Sequence, residues 1–417
     1  MEEKIKILQL CNKFPWPAKD GGSIATFNLT KTFSSLGCEV TVLAMNSSKH
    51  KTDIESLPQE VKQIADFRSV DIDNRIKIIP ALTSLLQNKS YHVERFISAE
   101  FNNNLIELLH EKEFDIIQLE GLYLSPYVET IRAFSDATIA MRTHNIEHEI
   151  WNGIAKNEKS FFRKFYLNIL VKQLRKYELS RINKYDLIIP ITDPDAKKLK
   201  SFGCELPMQV CTASYDETIL QPDKSKMEFP SVFFIGALDW IPNQEGLKWF
   251  LENVWDKIQS PSFSLLKEDM GDLKFYIAGR NMESAKNIIS LASEFSNVVI
   301  VGEVDNAYEF MNSKGIMIVP LLSGSGIRVK IIEGMALGKT IVSTSLGAEG
   351  ISCKDGQNIL IADTPELFAE KIVKCINEKM YFTVIGDNAY QFAKRQFSSQ
   401  EVTKKLIEFY QKQLTSE

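Results

Sequence analysis

Residues 320–343, PLLSGSGIRVKIIEGMALGKTIVS, read as the end of a strand, a turn at Ser323-Gly324-Ser325-Gly326, a helix from about Ile327 to Leu337, and a second strand at Thr340–Ser343. Short aliphatic runs separated by a helix, apolar on both faces, are the mark of parallel strands covered on both sides. Working outward, the same alternation continues through strands at Ile316–Leu321, Asn297–Val301, Leu273–Ala278 and Ser231–Ile235, with a helix at Asn243–Ile258. An equivalent series fills the N-terminal half. Strands are expected at Ile5–Leu10, Glu39–Ala44, Ile76–Ile79, Asp115–Leu119, Ile139–Arg142 and Asp186–Ile191, and the helix Ile24–Leu36 follows the first of them.

Two doubly wound α/β domains follow from this. Polar Thr212–Pro230, with Pro222 and Pro230, suits a linker. The expected domains are 1–212 and 229–390, with a C-terminal helical stretch, 391–417, that could pack back on the first. Ligands of such sheets bind at the carboxyl ends of the strands, so two domains in tandem are expected to face a central cleft. Asn46–Glu60 and Gln259–Asp272 read as polar surface insertions.

The 417 residues are 44% hydrophobic and 25% charged, which is globular composition and excludes disordered, collagen-like and coiled-coil classes. Lys plus Arg (49) against Asp plus Glu (54) gives a net charge of −5, unlike a protein that grips nucleic acid with its whole surface. Six cysteines without a CxxC pair suit a reducing compartment better than a disulfide or zinc framework. The first apolar run is short and acidic in its flank, unlike a signal peptide, and no stretch has the roughly 18 apolar residues of a spanning helix. A cytoplasmic location is the expectation.

The turn before the 327–337 helix is a candidate anion site. Its glycines let backbone approach a ligand, and the first N–H groups of a helix have no internal partner. Arg328 and Lys330 place two cations where they oppose the helix dipole, which makes sense if an anion sits there. Glu333 could grip a diol with both carboxylate oxygens. The alternative for these residues is an ordinary helix start with an i,i+3 ion pair.

Glu333 and the Gly-Met-Ala-Leu-Gly-Lys-Thr-Ile-Val-Ser after it, behind a Pro-Leu strand and a Gly-Ser-Gly turn, resemble the group 1 glycosyltransferases, the retaining GT-B enzymes of glycosyltransferase family 4. Cys11–Gly22, Arg142-Thr143-His144-Asn145-Ile146-Glu147, Phe234–Asn243, Val301–Val304 and Gly347–Gly350 resemble further motifs of that family, in its order. The resemblance implies two Rossmann-like domains and transfer of a sugar, with retained configuration, from a nucleotide diphosphate sugar to a saccharide or lipid-linked acceptor. It implies surface polysaccharide or glycolipid synthesis, and neither metal nor cofactor. By the same resemblance Glu333 holds the ribose, and Gly324, Ser325, Gly326 and Ile327 offer backbone to the diphosphate and donor sugar. Glu303 and Val304 lie by the base, Gly22 by the diphosphate, and His144 at the sugar or leaving group. Arg328 and Lys330 are the expected catalytic cations.

Two departures stand out. Ser325 occupies the position of the family's first glutamate, and the usual Arg and Lys after the first strand of the second domain are missing from Ala237–Asn243. The DxD strings Asp71-Ile-Asp73 and Asp193-Pro-Asp195 read as solvated loops. From Lys159 to Lys184 there are eight basic residues against one acid, Glu178, with Phe161, Phe162, Phe165 and Tyr166 interleaved. Such a segment suits peripheral contact with the inner face of a membrane. Two other readings keep the fold: a UDP-sugar 2-epimerase, which needs acids placed to move a ring proton, and a nucleotide-sugar-binding protein whose catalysis has lapsed.

Overall fold

In the computed structural model of the chain, which describes residues 4–18, 21–47, 51–75, 77, 83–85, 87–158, 160–259, 273–324 and 326–415, the described residues form two parallel six-stranded sheets. The first contains β1 (Lys6–Cys11), β2 (Glu39–Ser47), β3 (Asp66–Ile72), β4 (Ile116–Glu120), β5 (Thr138–Thr143) and β6 (Leu187–Pro190). The second contains β7 (Glu228–Ile235), β8 (Lys274–Ala278), β9 (Val298–Gly302), β10 (Lys314–Val319), β11 (Thr340–Ser343) and β12 (Leu360–Ile361). The orders are β3-β2-β1-β4-β5-β6 and β12-β11-β10-β7-β8-β9. Counted from its own first strand, each sheet therefore runs 3-2-1-4-5-6, the doubly wound order expected of two α/β domains.

Alternation along buried strands feeds two helix layers. Leu8, Leu10, Leu43, Leu119 and Ile139 pack with Phe101, Leu105, Tyr127 and Ile131 on one face. Ile7, Val40, Val42, Ile116 and Ala140 pack with Phe33, Leu406 and Tyr410 on the other. In the second sheet Val232, Phe234, Phe275, Ile277, Ile316 and Ile318 share a core with Phe250, Trp255 and Phe368. Each Val, Leu, Ile or Phe among them contributes about 1.5–3 kcal/mol by leaving water.

The chain divides into one unit of Met1–Ala213 with Ser399–Glu417, and another of Ser214–Ser398. The polar stretch read as a linker belongs to the second unit from Ser214 onward. Hydrogen bonds hold it there, since Tyr215 N donates to Phe397 O, Asp223 N to Asn312 Oδ1, and Asn312 Nδ2 to Gln221 O. Residues 391–396 complete the helix Lys379–Gln396 of that unit, whereas the helix Ser399–Leu414 buries Val402, Leu406 and Tyr410 in the first.

Several local expectations change. The third strand is Asp66–Ile72, an edge strand whose Arg68 and Asp71 are partly or fully exposed; the expected strand at Ile76–Ile79 falls mostly outside the described residues. Residues 260–272 of one expected insertion also lie outside them, and Asn46 and Ser47 of the other extend β2. The helix Asn243–Ile258 begins at Ile241 and passes through a π-helical turn at Leu251–Trp255. The helix of the opening motif is Val329–Ala336, shorter at both ends.

Candidate functional site

A sheet of this order reverses its winding between its first and fourth strands, so connections leave on opposite faces and open a crevice there. In the second unit that point lies between β7 and β10. The loop after β10 carries Gly324 and Gly326 at φ +109° and +82°, a region a side chain would disfavour. A Cβ on Gly324 would also stand 3.1 Å from the Trp240 ring. Ser325 lies outside the described residues.

Because those glycines carry the loop onward, the helix starts late. Arg328 sits at its N-cap, with φ −92° and ψ 89°, and not within the first turn as the sequence pattern suggested. Its Nη1 donates to Gly326 O, and the guanidinium lies 5.7 Å from the centre of the Trp240 ring. Burial pushes its pKa down, while Glu349 opposes the shift.

Lys330, in the first turn, reaches across to the end of β7. Its Nζ donates to Asn243 Oδ1 at 3.1 Å and Ile235 O at 3.3 Å, and stands 4.4 Å from the centre of the Phe234 ring. Burial pushes the ammonium down to about 7, with the Arg328 charge acting in the same direction. Gly236 makes room for it, since a Cβ there would be 3.2 Å from Nζ.

Glu333, one turn further, accepts instead from Tyr308 Oη at 3.1 Å. Burial pushes its carboxyl up to about 7 despite that bond. Lys330 and Glu333 thus bond to different neutral partners, and among the described residues no ion pair links them. This disfavours the ordinary i,i+3 pair.

Glu303 and Val304 follow directly on the end of β9, the former exposed and the latter half-buried. Tyr308 belongs to the next helix, Ala307–Asn312, and so ties that rim to Glu333. Gly324, Gly326, Ile327, Arg328, Lys330, Glu333, Glu303 and Val304 all lie in connections at the carboxyl ends of β9 and β10.

In the first unit the switch point lies between β1 and β4. Gly22 is in the opening turn of the helix Gly21–Ser35, whose Thr26 Oγ1 donates to Glu120 Oε2 at 3.2 Å. Glu120 ends β4 and is 3% exposed. Its Oε2 also accepts from Arg142 Nη1 at 3.0 Å and meets His144 Nε2 at 2.6 Å. Oε1 accepts from Gln9 Nε2 at 3.3 Å and from Gln118 Nε2. Burial alone would raise this carboxyl, but Arg142, His144 and Gln118 outweigh it and hold the group at about 2.

Sequence reading missed Glu120, Tyr308 and Trp240. One signal for Glu120 existed: Gln9 and Gln118 interrupt apolar strands at positions that face each other across the β1–β4 pairing. His148 is structural, for its ring bonds Glu178 at 2.6 Å and Glu178 accepts from the Glu147 and His148 backbone amides. The DxD strings are also accounted for locally. Asp71 pairs with Lys51, Asp73 with Arg75 and Lys77, and Thr192 with Asp195 at the start of the helix Asp193–Ser201. Among the described residues no group of three or more His, Cys, Asp or Glu side chains is placed to hold a metal ion.

Residues 229–378 match the family model described as Glycosyl transferases group 1. An uncharacterised 44.6 kDa protein in the cps region of Klebsiella pneumoniae is 25% identical over 407 residues, which is 95% of this chain and 97% of that protein. Among solved structures, sucrose-phosphate synthase of Thermosynechococcus elongatus superposes with a TM-score of 0.66 at 13% identity, covering 99% of this chain and all (100%) of that one. Anabaena HepE in complex with UDP and glucose superposes with a TM-score of 0.65 at 13% identity, covering 98% of this chain and 100% of that one. The chain therefore has the GT-B fold of these solved structures, and its residues 229–378 carry the match to the group 1 glycosyl transferases.

Proposed function

We propose that the protein is a retaining glycosyltransferase that moves a sugar from a nucleotide diphosphate sugar to a saccharide or lipid-linked acceptor, in surface polysaccharide or glycolipid synthesis. The observation that carries this reading is the pair Lys330 and Glu333: opposite charges on one helix face, each bonded to a neutral group and each held near neutrality. A diphosphate and a ribose diol supply what they lack. In the reaction the bond from the anomeric carbon to the β-phosphate oxygen breaks, and the nucleoside diphosphate leaves with the electron pair. The acceptor oxygen bonds to that carbon on the same face, and its proton passes to the departing phosphate.

Glu333 holds the ribose hydroxyls, Gly324–Ile327 offer backbone to the diphosphate and sugar, and Glu303 and Val304 flank the base. Gly22 approaches the diphosphate. Arg328 and Lys330 neutralise the charge that grows on the leaving group, without a divalent ion. His144 serves the transfer step. HepE, of the same fold, was crystallised with UDP and glucose, the kind of ligand proposed here. Glu333→Ala is expected to weaken nucleoside diphosphate affinity by roughly tenfold or more, because charge-assisted bonds to two hydroxyls are lost. Unchanged affinity by calorimetry would remove Glu333 from the site.

Incubation with labelled nucleotide sugars in excess EDTA tests the whole reading. Slow release of free sugar and nucleoside diphosphate is the expected result, and activity that returns only with Mn²⁺ or Mg²⁺ would contradict metal independence. Exchange at C2 would identify an epimerase instead.

The first unit, proposed to receive the acceptor, includes a surface suited to an anionic membrane on the cytoplasmic face. At the start of the helix Phe161–Arg181, Phe161 and Phe162 are 77% and 83% exposed, and Phe165 is also exposed, beside Arg163 and Lys164. Exposed rings flanked by cations suit the boundary of headgroup and acyl chain, where each cation contributes roughly 1 kcal/mol. The protein is expected to sediment with vesicles containing phosphatidylglycerol and not with pure phosphatidylcholine. Replacing Phe161, Phe162 and Phe165 by serine is expected to abolish this while sparing donor hydrolysis; equal sedimentation of wild type and variant would contradict it.

A further inference from the structure

We propose that Glu120 is a positioning residue for His144: it fixes the imidazole proton on Nε2, so that Nδ1 meets the ligand as a hydrogen-bond acceptor. The inference rests on the reading that His144 serves the transfer step. Three observations carry it.

The first is the bond itself. Glu120 Oε2 and His144 Nε2 are 2.6 Å apart, and an ionised carboxylate can only accept. Nε2 must then donate, and in a neutral ring the other nitrogen carries a lone pair. Among the described residues Nδ1 has no hydrogen-bond partner.

The second is the charge balance. Arg142 already neutralises Glu120 from 3.0 Å, in a pair where both side chains are at most 3% exposed. His144 is not needed to pay for that buried carboxylate, and its own side chain is 19% exposed. A histidine serving only to close a buried ion pair has no reason to sit at the rim.

The third is the scaffold behind the carboxylate. Gln9 and Gln118 both donate to Oε1. Gln9 Oε1 in turn accepts from Thr30 Oγ1 at 2.7 Å, and Gln118 Oε1 from Tyr410 Oη at 2.6 Å. Tyr410 belongs to the C-terminal helix and is fully buried. Contacts from β1, β4, β5 and two helices therefore leave the carboxylate a single orientation, and with it the ring. Such support is what holds a reacting group in register.

The test joins a spectroscopic measurement to a kinetic one. In the ¹⁵N-histidine-labelled full-length wild type, the His144 signals are assigned by their disappearance in His144→Ala. The neutral ring is expected as the Nε2–H form. A dominant Nδ1–H form, or rapid averaging of the two, would overturn the proposal without any substitution at Glu120. In the kinetic arm Glu120→Gln is expected to lower kcat by roughly tenfold to a hundredfold with little change in donor KM, and to add no further loss in the His144→Ala background. Independent losses would mean that Glu120 only stabilises the fold. Wild-type turnover by His144→Ala would instead overturn the role given to His144 itself, a different result from either.

Discussion

Lys330→Met is expected to produce two opposite effects: loss of nucleoside diphosphate binding and a more stable free protein. The first follows from removing the cation that stands at the end of β7, where among the described residues it donates to Asn243 Oδ1 and Ile235 O and lies over the Phe234 ring. The second follows from linkage. Lys330 is held at about 7 against its ordinary 10.5, so between those values the unfolded chain binds the extra proton and stability rises with pH. Below about 7 the folded protein must keep an ammonium in a poorly solvated place, and the whole penalty is present. Methionine removes it, so the gain is greatest at or below pH 7 and disappears toward pH 10.5. A rise in Tm of about 2–4 °C per kcal/mol relieved is the expected scale. Glu333 carries the reverse dependence, since its raised carboxyl lowers stability as pH climbs from 4.5 through about 7. Both groups are stability traded for binding. The same shift makes donor affinity fall above about pH 7 by up to about tenfold per unit, a slope that Lys330→Met removes. A variant that binds as well as wild type, or that loses stability, would show the lysine to be structural.

Arg328→Ala is expected to lower kcat by roughly 10²-fold or more, with a smaller change in donor KM. Charge accumulates on the leaving diphosphate only as the glycosidic bond breaks, and a donor aimed at developing charge lowers the barrier rather than the ground state. The N-cap placement of Arg328 sharpens this expectation. Its guanidinium is held by Gly326 O and packed against Trp240, so its orientation is fixed before the ligand arrives. Arg328→Lys keeps the charge but lacks the planar fork, and is expected to recover only part of the rate. Near-normal kcat with a raised KM would show that Arg328 binds without catalysing.

The legible parts of the fold were those written in local pattern. Each strand of the second sheet except Leu360–Ile361 stands out as an apolar run, and the opening motif places the loop and helix that carry Lys330 and Glu333. What stayed hidden depends on tertiary context. Asp66–Ile72 mixes polar residues among Phe67, Val70 and Ile72, as an edge strand can, so it lacks the buried signature of its neighbours. Ser214–Met227 is held by hydrogen bonds rather than by an apolar stripe, and therefore reads as a linker. The late start of the helix after Arg328 follows from two glycines at positive φ, which local helix pattern does not reveal. Glu120 escaped because its meaning comes from strand register: only the pairing of β1, β4 and β5 sets Gln9, Gln118, Arg142 and His144 around it.

The most direct test of the donor site is calorimetric titration of the intact chain with a panel of nucleoside diphosphates in buffers of different ionisation enthalpy. At least one is expected to bind, with proton uptake near pH 7.5 as Lys330 is recharged by the diphosphate, and the uptake is expected to vanish in Lys330→Met while the fold persists. Binding of equal strength in wild type, Lys330→Met and Glu333→Ala, with no exchange of protons, would contradict it.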